Sequence, residues 1–93
     1  MSTKIHFDLY FTGEYEAIPE HMRAALTRYV MERIEPGDFL TAVIKNDLKE
    51  AVGRADAVNL PLLPVYVRWF YNVAPGCCWG SPQNFQEWLS ERE

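Results

Sequence analysis

The chain has few of the side chains from which reaction centres are built. Two histidines, His6 and His21, and two cysteines, Cys77 and Cys78, are its whole supply of soft metal ligands and strong nucleophiles. The cysteines are adjacent, without the gap of two or more residues that lets two thiolates reach one tetrahedral zinc, so no metal site is expected. Adjacent cysteines also close only a strained ring that staples no loop, and both are expected as reduced thiols buried in a loop beside Trp79. A cysteine nucleophile needs a base at hand and a lowered pKa, and neither histidine stands in a recognisable relation to this loop. A Gly-rich phosphate loop, a nucleophile elbow and a nucleic-acid motif are missing as well. No catalytic residue and no cofactor are expected, and the chain reads as a non-enzyme.

Other absences bound its surroundings. No apolar run approaches the roughly 18 residues of a membrane span. The first residues alternate polar and apolar where a secretion signal has a continuous apolar stretch, so the expected location is the cytoplasm, with no membrane partner. The net charge is −4. An acidic chain gains nothing from counterion release on DNA or RNA, which disfavours nucleic acid and favours basic proteins or small ligands. Arg23, Arg28 and Arg33 follow at five-residue steps that wind around a helix and form no single basic face, so they are expected as solvated charges.

What is present is core material. A hydrophobic fraction of 48%, with 14% aromatics, lies outside the disordered range, because that much apolar area offsets chain entropy. Residues 1–93 are enough for one domain and have no material for a second core. Ile5, Phe7, Leu9 and Phe11 alternate with Lys4, His6, Asp8 and Tyr10, the period of a half-buried strand over 4–12. Met22, Ala25, Leu26, Tyr29, Val30 and Ile34 recur at helical spacing, so a helix is expected over 19–34, opened by Pro19 and broken by Pro36-Gly37. Asp38 then caps a second helix over 38–53, with Leu40, Val43, Ile44, Leu48, Ala51 and Val52 as its stripe and an end at Gly53 or one turn later.

Residues 60–73 carry two patterns. Val65, Val67, Trp69 and Tyr71 suit a strand, and the β-branched and aromatic content favours one. Leu63, Tyr66, Val67, Phe70 and Tyr71 suit a helix, with Pro61 and Pro64 in its lead-in turn, and the shortage of other strands makes helix the preferred reading. Ser81 as cap and Pro82 at the first position open a last helix over 81–91, with Phe85, Trp88 and Leu89 on one face. The expected fold is mainly α, three to four short helices around one core with an N-terminal β-strand. Leu26, Val30, Leu40, Val43, Ile44, Leu48, Phe70, Trp88 and Leu89 are expected inside.

Two binding surfaces are candidates. Asp47, Glu50 and Arg54 share one stripe, on which Glu50 and Arg54 make an ordinary i,i+4 pair. Alternatively Asp47, Arg54, Asp56 and Asn59, with Asn72 nearby in the fold, form a polar cluster that receives a partner, a small molecule or a nucleotide. The second candidate is the N-terminal strand, with His6, Asp8 and Tyr10 outward. Its edge would pair with its copy in a homodimer or add to a host sheet, unless it folds back as a hairpin on 65–73 or frays.

In order along the chain stand IPEHM at 18–22, ALTRYV at 25–30, PGDFLTAVIKNDLKEAVGRAD at 36–56, Asn59, YN at 71–72, Pro75, CWGS at 78–81 and WL at 88–89. This ordered combination resembles a family of small proteins common in phage and prophage genomes, over roughly residues 18–89. The resemblance implies context: a short intracellular accessory protein made in an infected bacterium, with a host protein, such as a defence component, as the partner it modulates or inhibits. It assigns no residue a role.

Overall fold

A computed structural model describes residues 10–91. Helix α1, Glu20–Glu32, opens on Pro19, whose carbonyl accepts the N–H groups of Met22 and Arg23. It stops at Arg33, before the Pro36-Gly37 break, because Arg33 turns left-handed (φ 58°). A non-glycine residue there costs on the order of 1 kcal/mol or more, which distant contacts offset. The Arg33 guanidinium lies 3.7 Å from the centroid of the Trp88 ring and donates to the Trp88 carbonyl (3.2 Å) and to Glu91 (3.2 Å).

The helix expected over 38–53 is two helices, α2 (Asp38–Ile44) and α3 (Leu48–Arg54). Asn46 takes the left-handed conformation between them (φ 63°), which asparagine tolerates better than most residues. The Asp47 carboxylate then accepts the Glu50 N–H (3.2 Å) and starts α3 afresh, as a strong N-cap does. This restart rotates the apolar stripe. Leu48, expected in the core, is 68% exposed, and Val52 is also exposed, leaving Ala51 as the only buried side chain of α3.

Helix α4, Leu63–Asn72, follows a 3-10 turn at Leu60–Leu62 that carries Pro61, and Pro64 falls in its first turn, where a missing N–H costs nothing. The helical reading of 60–73 therefore holds, with Tyr66, Trp69 and Phe70 buried. Helix α5, Pro82–Ser90, is capped by Ser81, whose hydroxyl oxygen accepts the Asn84 N–H (3.1 Å). None of the helices among the described residues is long and apolar enough to cross a membrane.

There is no β-strand among the described residues. Residues 4–9 of the expected strand, His6 and Asp8 with them, lie outside the described residues. Tyr10, Phe11 and Thr12 are described and are not strand. Phe11 stacks on Trp69 (5.4 Å, 7°) and the Tyr10 carbonyl accepts the Trp69 indole N–H (3.0 Å), so α4 takes the groups a ladder would use. A 3-10 turn over Gly13–Ala17 leads on to α1.

One core holds these elements, and of the residues expected inside, Leu26, Leu40, Val43, Ile44, Phe70 and Trp88 are buried, with Val30 and Leu89 half-buried against them. Its buried tyrosines and tryptophans each carry a polar tip, and each tip holds a connecting segment or another helix. The Tyr29 hydroxyl donates to the Cys78 carbonyl (2.7 Å), the Tyr66 hydroxyl to Asn59 Oδ1 (2.6 Å) and the Trp88 indole N–H to the Tyr29 carbonyl (2.8 Å). Among the described residues no buried side-chain nitrogen or oxygen lacks a partner. Two of the three arginines expected in solvent also belong to this framework. Arg33 does so through Trp88, and Arg23 by donating to the carbonyls of Ile18 (2.9 Å) and Glu16 (2.7 Å) beneath Phe11. Arg28 is exposed.

Candidate functional site

Arg54 joins α3 to the first turn of α2, with its Nε on Glu50 (3.2 Å) and a terminal nitrogen on Asp38 (3.4 Å). These three residues, with Lys45 and Asp47, line an open cleft of about 200 Å³ between the two helices. A second cleft, of about 240 Å³, shares Asp38 and Arg54 and reaches His21, Asp56 and Asn59. Asp47 and Arg54 therefore do border one cleft. Asp38 was missed as a partner of Arg54, because the contact spans a helix break that periodicity alone does not show.

Asp56 and Asn59 border the second cleft with Arg54 and also serve the chain itself. Asp56 Oδ1 accepts the N–H groups of Val58 (3.1 Å) and Asn59 (2.7 Å), closing the turn between α3 and α4. Asn59 is buried, and its side-chain oxygen takes the Tyr66 hydroxyl. Burial, and then the nearby Asp56 charge, push the Tyr66 pKa well above its usual value and keep that hydroxyl a donor. Asn72 stands apart from this group. It donates to the Tyr15 hydroxyl (3.1 Å), which donates to the Arg68 carbonyl (3.3 Å), while Arg68 grips both carboxylate oxygens of Glu14. The hydrogen bonds from Arg68 hold the Glu14 carboxyl below its usual range. Asn72 thus belongs to a fastening between α4 and the Gly13–Ala17 turn, and lines neither cleft.

The charges in the α2–α3 cleft limit its chemistry. Asp38, Asp47 and Glu50 face Lys45 and Arg54, and Arg54 is already engaged by two of the carboxylates, so a phosphate entering there meets uncompensated like charge. Among the described residues no group of three histidine, cysteine or acidic side chains is placed to hold a metal ion. Both cysteines are free, Cys77 exposed and Cys78 buried. Burial, with a further push from the adjacent Cys77, raises the Cys78 thiol to about 12, so it offers no thiolate near neutral pH.

A different surface emerges between α3 and α4. Leu48 and Ala51 from α3 and Leu63 and Val67 from α4 line a small apolar groove of about 60 Å³, with Asn46 and Asp47 also lining it. Exposed apolar side chains extend it: Val52 one turn beyond Leu48, Leu60 three residues before Leu63, and Tyr71 one turn beyond Val67 and 76% exposed. Reading 38–53 as one helix put Leu48 inside and hid this face. The Asn46-Asp47 pair, a residue tolerant of left-handed backbone followed by a strong cap, was the signal that would have revealed it.

No protein-family model matches this chain, and comparison with curated proteins and with solved structures finds no match.

Proposed function

We propose that this chain is a small binding protein that docks on another protein through its α3–α4 face, and that it does so as a phage-type accessory protein modulating or inhibiting a host factor. The observation that carries the reading is the apolar groove lined by the exposed Leu48 and Val67, with the exposed Val52 and Tyr71 one helical turn beyond them and Leu60 three residues before Leu63. Single exposed apolar residues are normal on any surface, whereas a contiguous patch marks an interaction site. A groove between two helices suits an amphipathic helix of the partner, which lays anchors spaced three or four residues apart into it. The phage context rests on the ordered pattern of IPEHM, NDL, RAD, YN and CWGS.

Photo-crosslinking in a bacterial host tests this. A crosslinking amino acid at Leu48 is expected to capture one discrete protein, and the same group at Gln86, an exposed position on α5, is expected to capture none. Val67→Glu is expected to abolish capture with the helical circular dichroism unchanged. Capture that survives Val67→Glu overturns the reading. Light scattering separates the remaining occupant: a dimer that Val67→Glu dissociates would make the partner a second copy rather than a host protein.

A further inference from the structure

We infer that the segment seated in the α3–α4 groove carries a lysine or arginine beside its apolar anchor, and that Asp47 receives it. This rests on the docking reading above and names the partner's chemistry. The groove is apolar except for Asn46 and Asp47, and Asp47 also lines the α2–α3 cleft with Asp38 and Glu50, so the groove opens onto carboxylates. Among the described residues no lysine or arginine makes an ion pair with Asp47, although Lys45 and Arg54 line the same cleft. Arg54 is held by Asp38 and Glu50, and the Lys45 ammonium sits 5.1 Å from the centroid of the Phe85 ring. Lys49, exposed on α3, lines neither groove nor cleft.

What Asp47 does have is one backbone N–H, that of Glu50, on one of its oxygens. An ionised carboxylate offers about four acceptor sites, so most of its capacity faces outward. A wholly apolar occupant would desolvate this charge without pairing it, and an acidic one would repel it. A basic residue next to the anchor does neither, and the net charge of −4 favours its encounter.

The test uses two synthetic alanine-based helical peptides with the same leucine anchors, one bearing arginine and the other glutamate in the turn beside the first anchor. Fluorescence anisotropy against the full chain is expected to give about tenfold tighter binding of the arginine peptide, a ratio that shrinks with added salt. Asp47→Asn keeps the cap, since asparagine caps as well as aspartate, and is expected to bring the ratio close to one. Equal binding of both peptides to the unsubstituted protein, or a ratio that survives Asp47→Asn, overturns the inference and leaves the docking reading standing. If neither peptide binds, the docking reading falls and this inference with it.

Discussion

The loop at residues 78–81 and the α3–α4 face treat their side chains in opposite ways. Every residue of the loop has a partner within the chain. The Cys78 carbonyl receives the Tyr29 hydroxyl, and Trp79 stacks on Phe70 (5.5 Å, 26°) while its carbonyl accepts the Asn84 side-chain amide (2.8 Å). Gly80 adopts φ +104°, open only to glycine at low cost, and gives its N–H to the Ile44 carbonyl (2.7 Å). Ser81 caps α5. On the α3–α4 face, by contrast, Leu48, Val52 and Val67 stand exposed, and Tyr71, whose ring meets that of Trp79 (6.1 Å), is still 76% exposed. A distinctive run of residues marks where the fold is most demanding, and the surface the fold leaves unsatisfied is the better guide to binding.

The largest test of this contrast removes one aromatic ring from the core against which the loop and α5 pack, and one from the exposed face. Trp88→Ala is expected to cost about 3 to 5 kcal/mol in chemical denaturation, because the ring is buried, donates to the Tyr29 carbonyl and underlies Arg33. Tyr71→Ala, at the exposed face, is expected to shift stability far less. Equal losses would mean that the α3–α4 face is core after all.

A smaller loss is expected from Tyr66→Phe, which leaves the buried Asn59 oxygen without its donor. An orphaned buried acceptor costs about 1 to 3 kcal/mol, and thermal unfolding of the purified variant reads it directly. A neutral result would place water at Asn59 and loosen the assignment of that turn to structure.

These contacts also show where sequence reasoning works and where it stops. Pro19, Pro61, Pro64, Ser81 and Pro82 act on the backbone within a turn of themselves, so the helical segments were legible despite the β-branched run at 65–67. The end of α1 at Arg33 was not, since Trp88 lies 55 residues away and no local window contains it. The break at Asn46-Asp47 was local but outvoted, because Leu48 continues the Ile44 stripe at i+4 as readily as it opens a new helix. On this surface the Glu50 to Arg54 pair, the plain alternative to a polar cluster, was local enough to read. Its extension to Asp38, and the diversion of Asn72 to Tyr15, depend on packing.

Raising the pH tests the buried side of the comparison more gently. The folded Cys78 thiol ionises only near 12 because it is buried, while an unfolded thiol ionises near 8.5 to 9. Its contribution to stability is therefore complete below about pH 9 and is lost as pH rises from there towards 12, since the unfolded chain releases its proton first. Tyr29 and Tyr66, raised by burial, add to the loss above about pH 10. Between pH 9 and 10 stability is expected to fall with a slope that Cys78→Ala flattens and Cys77→Ala does not. A slope indifferent to Cys78→Ala would show that this thiol ionises freely in the fold.

The smallest expected effect, that of Leu48→Ala, is the most informative when set beside the same substitution in the core. Leu26→Ala removes a fully buried side chain and is expected to cost about 2 to 5 kcal/mol, transfer and cavity together. Leu48→Ala removes a side chain that is 68% exposed and opens no cavity. Alanine and leucine are both strong helix formers, so the first turn of α3 survives the change. A surface substitution of this kind is expected to shift stability by less than about 0.5 kcal/mol. If denaturation finds Leu48→Ala as costly as Leu26→Ala, the groove is filled from within and has no room for a partner. If Leu48→Ala instead leaves the unfolding midpoint in place and weakens binding of the leucine-anchored arginine peptide in fluorescence anisotropy, Leu48 stands outside the fold's own requirements and its position is explained by what binds there.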